Sequence, residues 1–295
     1  MNKLNVAFIG FGEAGLAIAS DLTAASISAF DIKLGDNELA ADMSLRMTEA
    51  SVTPCMDTRS AVAEADIVIS VVTADQAGKA AALTARHMRN GALFLDMNSC
   101  APSSKQISAR AVEATGAVYV DVAVMAPITA KGPATAMLAA CQRGEDILAP
   151  LAAIGITPRL VGLEVGRAST IKMLRSVMVK GMEALTAECF RAAVRAGVAE
   201  DVANSLDASE SGLGWAAQAS YNMERMTAHG IRRAAEMREV AKTLRDLDIA
   251  PAMTTGTIAW QQDMGDLKLA LDPNADLGAQ VAAIETAFNA QNEET

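Results

Sequence analysis

The N-terminal sequence places a glycine-rich turn between an apolar run and an amphipathic run. A first glycine at such a turn permits a tight bend, a second lets the backbone approach a pyrophosphate, and a third lets the helix pack on the strand. The helix that opens there directs free N–H groups at the phosphates. The sequence therefore predicts a dinucleotide-binding turn formed by Gly10, Phe11, Gly12, Glu13, Ala14 and Gly15.

Apolar strand-like runs alternate with Ala-rich amphipathic segments through the first half of the chain. Runs that are apolar almost throughout, such as residues 66–72, are typical of strands covered on both faces. Strands that alternate with helices predict a mostly parallel, doubly wound sheet, which is the Rossmann arrangement. The predicted strands are residues 4–10, 27–32, 66–73, 92–98, 117–125, 134–141 and 158–162. The predicted helices between them are residues 13–25, 37–50, 75–88 and 102–114.

The strand pattern stops after residue 162, and the rest of the chain has helical periodicity. Apolar residues recur at helical spacing from 166 to 196, which at about 1.5 Å per residue gives a helix on the order of 45 Å long. A helix of this length suggests an element that joins two domains. We therefore predict an α/β Rossmann domain at residues 1–162 and an all-α C-terminal domain at residues 163–295. Glycine and proline interrupt the helical part at Gly212, Gly214, Gly230 and Pro251.

An acidic residue ends the second predicted strand. Asp31 follows Gly10 at about the 20 residues expected for ribose recognition. A carboxylate at this point accepts hydrogen bonds from the adenine ribose and repels a 2′-phosphate. Because no arginine follows it immediately, Asp31 favours NAD over NADP, while Lys33 keeps NADP possible. The alternative is that Asp31 merely ends the strand.

Ligands of doubly wound sheets bind outside the carboxyl ends of the strands. Two predicted strands end in short polar segments there, Val72-Thr73 and Asn98-Ser99. We predict that Val72, Thr73 and Asn98 contact the cofactor and that Ser99 contacts the substrate. Thr73 and Ser99 could equally cap the helices that follow.

Composition argues against several other functions. The net charge of −10, without a visible basic stripe, argues against nucleic acid as a partner. No apolar stretch approaches the roughly 18 residues of a membrane span, and the apolar start lacks a signal-peptide cleavage pattern. The four scattered cysteines fit reduced thiols in a cytoplasmic protein and predict no metal site. The absence of a GxSxG sequence argues against a Ser-His-Asp hydrolase.

Lys172 is the candidate for proton transfer. Its neighbours Ile171 and Met173 are apolar, which predicts a partly buried amine able to exchange a proton with a hydroxyl group. Arg175, Ser176 and Lys180 follow at i+3, i+4 and i+8, and cations near one helix face suit an anionic substrate. Judged from the residues alone, a lysine on an amphipathic helix is more often a side chain that reaches solvent.

The chain resembles the β-hydroxyacid dehydrogenase family, which includes 3-hydroxyisobutyrate and 6-phosphogluconate dehydrogenases. The matching stretches span nearly the whole length and are GFGEAG, LDMNSCAP, YVDVAVMAP and VGRASTIKMLRS. The resemblance implies a Rossmann domain, an all-helical domain and a homodimer. It also implies an active site in the cleft between the domains, to which the second subunit can contribute, with Lys172 as the catalytic lysine.

Two departures from the family pattern concern the substrate. Met125-Ala126-Pro127 stands where the family carries Ser-Gly-Gly to hold a substrate carboxylate, and Ser176 stands in place of the helix asparagine. The resemblance therefore implies hydride transfer, but it does not identify the substrate. We nevertheless predict that Met125 and Ser176 contact the substrate. Imine reduction on the same scaffold and a non-catalytic dinucleotide-binding sensor remain alternatives.

The C-terminal half resembles a less characterised branch with a HisGly-x-ArgArg-x-x-GluMet segment, here residues 229–237. His229, Arg232 and Arg233 lie within one helical turn and predict an anion-binding cluster, since arginine suits bidentate contacts. The alternative is a solvated basic patch at a helix start, stabilised by Glu236. Together these features predict an NAD(P)-dependent oxidoreductase that acts on a small anionic hydroxy compound or its carbonyl form.

Overall fold

A computed structural model describes residues 4–24, 26–209, 214–272 and 275–293 of the chain. The chain divides into two compact units, with the division after Met173. The domain limit predicted after residue 162 lies before the long helix, whereas this division lies within it. Ala25, the predicted end of the first helix, and Gly212 lie outside the described residues. Among the described helices, none combines the length and apolar character that crossing a membrane requires.

An eight-stranded sheet with the order β3-β2-β1-β4-β5-β6-β7-β8 forms the first unit. Neighbouring strands are parallel except β6 and β7, which are antiparallel. The mostly parallel, doubly wound sheet predicted from the sequence is thus confirmed. Only β3 was not predicted, because two residues are too few for a periodic pattern. The strands are β1 (Asn5–Ile9), β2 (Ser26–Phe30), β3 (Thr53–Pro54), β4 (Ile67–Ser70), β5 (Leu93–Asp96), β6 (Val118–Val124), β7 (Met137–Ala140) and β8 (Arg159–Gly162).

Helices connect the strands of this sheet. The predicted helices are present in shortened form, and α3 and α6 were not predicted because each is too short for a periodic signal. The helices are α1 (Glu13–Ala19), α2 (Ala40–Glu49), α3 (Thr58–Val62), α4 (Ala77–Ala85), α5 (Pro102–Glu113) and α6 (Leu148–Ala153).

Both faces of the sheet are covered by apolar side chains. Along β1, Val6 and Phe8 belong to one buried cluster, while Ala7 and Ile9 belong to another. Successive strand residues point to opposite faces, so a strand buried on both faces has to be apolar at every position. This explains the continuous apolar runs of the sequence.

The second unit is helical. Its buried core includes Phe190, Met223, Met264 and Ile284. The long predicted helix is present as α7, which has 30 residues. The helices from this point on are α7 (Arg167–Ala196), α8 (Ala199–Ser209), α9 (Trp215–Asp246), α10 (Ala252–Asp266) and α11 (Leu277–Glu293).

Two glycines allow α9 and α10 to approach closely. A Cβ atom on Gly230 would lie 2.2 Å from the carbonyl oxygen of Gln261, and one on Gly265 would lie 2.4 Å from the amide nitrogen of Ile231. Both contacts would be with backbone atoms, which cannot move aside as a flexible side chain can. The helix crossing therefore requires glycine at both positions.

Candidate active site

The carboxyl ends of β2, β1, β4 and β5 lie side by side at one edge of the sheet. Backbone hydrogen bonds continue past the strand ends: the amide of Gly10 donates to Phe30 at 2.9 Å, and that of Met97 donates to Ser70 at 3.1 Å. Because these neighbouring strands are parallel, the segments that follow them emerge at the same edge. The glycine-rich turn, Asp31, Val72 and Asn98 therefore all follow strands that end at this edge.

The three glycines of the turn have different surroundings. Gly10 has a φ of +86°, and a Cβ there would lie 2.8 Å from the carbonyl oxygen of Val71. A Cβ on Gly15 would lie 3.1 Å from the carbonyl oxygen of Gly10, so this glycine permits the helix to pack on the turn. A Cβ on Gly12, by contrast, would meet nothing within 4 Å. The open side of Gly12 fits the close approach of a pyrophosphate to the backbone.

Asp31 connects the end of β2 to the glycine-rich turn. Its Oδ2 accepts the amide of Phe11 at 2.7 Å, and its Oδ1 accepts the amide of Lys33 at 2.9 Å. The side chain is buried. Each carboxylate oxygen can accept more than one hydrogen bond, so these contacts leave acceptor capacity for ribose hydroxyl groups.

Polar contacts also fix the end of β5. The Nδ2 of Asn98 donates to the Oγ of Ser70 at 3.0 Å and to the Oδ1 of Asp96 at 2.8 Å. The Oδ1 of Asn98 is buried and accepts no hydrogen bond from the described residues. At the end of β4, Val72 packs against an apolar cluster, and Thr73 is exposed. A hydrogen bond from the Thr73 side chain lowers the pKa of Asp75. The N-cap residue of α4 is Gln76, so the alternative that Thr73 caps this helix is wrong.

Lys172 and Ser99 lie in contact. The Nζ of Lys172 donates to the Oγ of Ser99 at 2.7 Å, across 73 positions of sequence. Lys172 is half-buried near the start of α7, and Ser99 directly follows Asn98 at the strand edge. The structure therefore brings the lysine predicted for proton transfer to a serine predicted for substrate contact.

Met125 follows β6 and is half-buried. Its amide donates to the carbonyl oxygen of Ala136 at 2.9 Å. Its side chain packs against a small apolar cluster that includes Ala123, Leu138 and Ala168. The surroundings of Met125 are therefore apolar where the family pattern has polar groups, and its contact with a substrate stays a prediction.

Three of the basic residues predicted to bind the substrate in the second unit form ion pairs with glutamates. Lys180 is buried, and its Nζ lies 2.5 Å from Glu236 Oε2, while Arg232 is exposed and pairs with the other oxygen of the same carboxylate. Burial lowers the pKa of Lys180, although Glu236 opposes this shift. Arg175 is exposed whereas Ser176 is buried, so these two residues lie on different sides of α7.

The segment that contains His229 lies in the middle of α9 and not at a helix start. Arg233 is buried and pairs with Glu183, which also accepts Gln261 Nε2 at 2.9 Å. The alternative of a solvated basic patch therefore does not describe Arg233. Burial lowers the pKa of His229, and the neighbouring charges of Arg225, Arg232 and Arg233 lower it further.

Sequence reasoning missed a buried polar cluster in the first unit. It consists of Asp96, Lys105, Tyr119, Asp121 and Ser169, all at most 2% exposed. Two features could have indicated it. Asp96 and Asp121 interrupt otherwise apolar strand runs, and Lys105 lies in the first turn of a helix, where a cation is unfavourable.

Comparisons with known proteins agree with this architecture. Residues 5–155 match the NAD binding domain of 6-phosphogluconate dehydrogenase, and residues 193–264 match a domain of unknown function, DUF1932. An uncharacterized 28.5 kDa protein of Methanothermus fervidus is 24% identical over 250 residues, which cover 85% of this chain and 94% of that protein.

Solved structures include two informative neighbours. A conserved hypothetical protein from Sinorhizobium meliloti 1021 has a TM-score of 0.76 and 31% identity, with 97% of each chain covered. The 3-hydroxyisobutyrate dehydrogenase of Mycobacterium tuberculosis has a TM-score of 0.71 and 16% identity, with 97% of this chain and 99% of that chain covered, and it is similar in fold. The chain therefore belongs to the β-hydroxyacid dehydrogenase family of NAD(P)-dependent oxidoreductases, and its first unit is the NAD-binding domain of that family.

Proposed function

We propose that this protein transfers a hydride between NAD(P) and a small hydroxy compound or its carbonyl form, with Lys172 as the general acid and base. The observation that carries the proposal is the 2.7 Å contact of Lys172 Nζ with Ser99 Oγ, beside the edge where dinucleotides bind to such sheets. This hydrogen bond holds the amine of Lys172 next to the segment that follows β5.

The residues proposed to bind the cofactor lie at the carboxyl ends of β1, β2, β4 and β5. The backbone of residues 10–15 would hold the pyrophosphate, and Asp31 would hold the adenine ribose. Val72, Thr73 and Asn98 would lie along the nicotinamide half. When bound, the nicotinamide ring supplies or accepts the hydride. The open side of Gly12 and the remaining acceptor capacity of Asp31 support this assignment.

Lys172 would take the hydroxyl proton onto Nζ during oxidation and return it during reduction. Ser99 would fix the position of the amine and hydrogen-bond the reacting oxygen. Proton transfer of this kind requires the amine within about 3 Å of the oxygen that it serves, so a residue that restrains Nζ contributes to the rate.

We propose an anionic substrate bound by some of the basic residues predicted above. Lys180 and Arg233 have carboxylate partners, and Arg232 has one as well. Arg175 and His229 form no ion pair with a described residue, and they therefore keep more capacity to bind an anion. Contacts of Ser99, Met125 and Ser176 with the neutral part of the substrate stay predictions.

The first experiment is a fluorescence titration with NADH and with NADPH, followed by turnover on hydroxy acids, aldehydes, ketones and cyclic imines. We expect binding of NADH in preference to NADPH. With the best substrate, Lys172→Ala should lower turnover on the order of 10²–10⁴-fold and leave NADH affinity unchanged. Lys79→Ala, which removes an exposed lysine of α4, is the matched control and should leave both quantities unchanged.

Three results would contradict the proposal. Unchanged turnover of Lys172→Ala would remove the role of Lys172. Activity on cyclic imines alone would identify an imine reductase. Tight NADH binding without turnover on any compound would indicate a dinucleotide-binding sensor.

A further inference from the structure

A lysine is buried in the first unit with every donor used. Lys105 is 1% exposed. Its Nζ donates to the carbonyl oxygen of Asp96 at 2.7 Å and to that of Val122 at 3.0 Å, and it lies 3.0 Å from Asp121 Oδ1. An ammonium group has three N–H donors, and here each has an acceptor. The amine is therefore fixed between β5 and β6.

The position of Lys105 is unfavourable by local rules. It lies in the first turn of α5, where the positive end of the helix dipole opposes a cation, and it is removed from water. Burial lowers the pKa of Lys105, but the neighbouring groups, above all Asp121 and Asp96, together produce a net upward shift, so the amine stays charged. A local conflict that only long-range contacts resolve is typical of functional positions.

Asp121 connects this lysine to the start of α7. Its Oδ2 accepts the backbone amides of Gly166 at 3.0 Å and Ser169 at 3.1 Å, and its Oδ1 accepts the Ser169 hydroxyl at 2.8 Å. The carboxylate thus satisfies free N–H groups of the first turn of α7. Lys172 comes three residues after Ser169, about one helical turn further on. Whatever fixes Asp121 therefore also fixes the turn that carries Lys172.

Asp96 connects the same lysine to the segment that carries Ser99. Its Oδ1 accepts the amide of Asn98 at 3.0 Å and the Asn98 Nδ2 at 2.8 Å, and its Oδ2 accepts the hydroxyl of Tyr119 at 2.5 Å. Ser99 follows Asn98 directly. The carbonyl oxygen of Asp96 is itself held by Lys105, so the end of β5 and the start of α7 share one anchor.

We propose that Lys105 is the positioning residue that holds Lys172 against Ser99. It acts at a distance through Asp121, which orients the first turn of α7, and through Asp96, which orients the end of β5. The inference rests on the proposed function of Lys172 for its catalytic consequence. Its structural part, the shared anchor of two segments, is testable without substrate or cofactor.

The first test is amide hydrogen exchange, resolved by peptide, on the protein without cofactor. Lys105→Met and Ser169→Ala should raise exchange at residues 163–173, and Lys105→Met also at residues 97–100. The control is Val112→Ala, which shortens a fully buried apolar side chain on the same helix as Lys105. This control should not produce the selective rise. An equal rise in amide exchange throughout the first unit in all three variants would contradict the proposal that Lys105 anchors the two segments.

The second test is turnover with the best substrate from the panel. Loss of positioning should lower kcat on the order of 10- to 100-fold, because misplacement by about 1 Å has effects of this size. The Kd for NADH should stay the same, and Val112→Ala should keep the wild-type kcat. If Lys105→Met does not fold, Lys105→Gln takes its place in both tests, since its amide can still donate to the carbonyl oxygens but carries no charge to hold Asp121. Ser169→Ala tests the contact of Asp121 with α7 separately.

The outcomes separate this inference from the proposed function. Selective exchange without any loss of kcat, while Lys172→Ala is inactive, would overturn the role of Lys105 in catalysis. If Lys172→Ala keeps full turnover, the proposed function fails, and the catalytic part of this inference fails with it. The exchange data then still decide whether Lys105 anchors the two segments.

Discussion

Asp31 has one observed and one proposed role at the end of β2. The sequence predicts a ribose contact from its distance to the glycine-rich turn, and the structure adds that its carboxylate holds the amides of Phe11 and Lys33. The proposed recognition of the ribose and the observed hydrogen bonds of the turn therefore involve the same side chain. A substitution at Asp31 should change stability as well as cofactor choice.

We expect Asp31→Asn to lower the free energy of unfolding by about 1–3 kcal/mol, because the amide has one oxygen and leaves one backbone N–H group opposite an NH₂ group. NADH should also bind more weakly. Urea unfolding and NADH titration measure the two effects. Asp36→Asn is the control, since exposed Asp36 uses only its Oδ1, for the amides of Glu38 and Leu39, and asparagine retains that atom. Equal unfolding free energies of the two variants would contradict the anchoring role of Asp31.

At the scale of elements, the crossing of α9 and α10 is the feature that organises the second unit. The basic residues around His229 suggest anion binding. The same segment contains Gly230, where an added Cβ atom would meet backbone atoms of α10. Gly230 lets α9 approach the backbone of α10 near Gln261. Arg233, about one turn later, is buried against Glu183, which also accepts Gln261. The ion pair of Arg233 thus lies next to the helix crossing.

Gly230→Ala should lower the free energy of unfolding by about 3 kcal/mol or more, because the new methyl group would overlap backbone atoms of α10. Gly256→Ala is the matched control within α10: a Cβ there meets nothing within 4 Å, and the residue is exposed. This control should raise stability by about 0.5–1 kcal/mol, the usual gain from alanine inside a helix. Urea unfolding of both variants is the measurement, and two similar values would argue against the close crossing.

At the scale of the whole molecule, the proposed cofactor site and the two tryptophans belong to different units. The residues proposed to bind the dinucleotide all lie in the first unit, whereas both tryptophans, Trp215 and Trp260, lie in the second. Each unit has its own buried apolar core. We therefore expect tryptophan emission to follow the unfolding of the second unit, and far-UV circular dichroism to follow the unfolding of both units.

We expect NAD⁺ to stabilise the first unit and to leave the tryptophan transition in urea unchanged. At a free concentration of 100 times Kd, the stabilisation should be about 2.7 kcal/mol, since only the folded unit binds the ligand. Circular dichroism should then show a shifted transition for the first unit. A tryptophan transition that shifts by the same amount would mean that the two units unfold as one.

Lys172 became the candidate for proton transfer through the family resemblance. The sequence by itself determined the alternation of strands and helices, the glycine-rich turn and the long helix. These features depend on residues close together in the chain, whose periodicity and turn chemistry act locally. Only the tertiary structure decided that Lys172 meets Ser99, that Lys105 joins Asp96 to Asp121, and that Arg233 is buried against Glu183. Such contacts depend on strand order and helix crossings, which bring together residues far apart in the chain and leave no periodic pattern in the sequence.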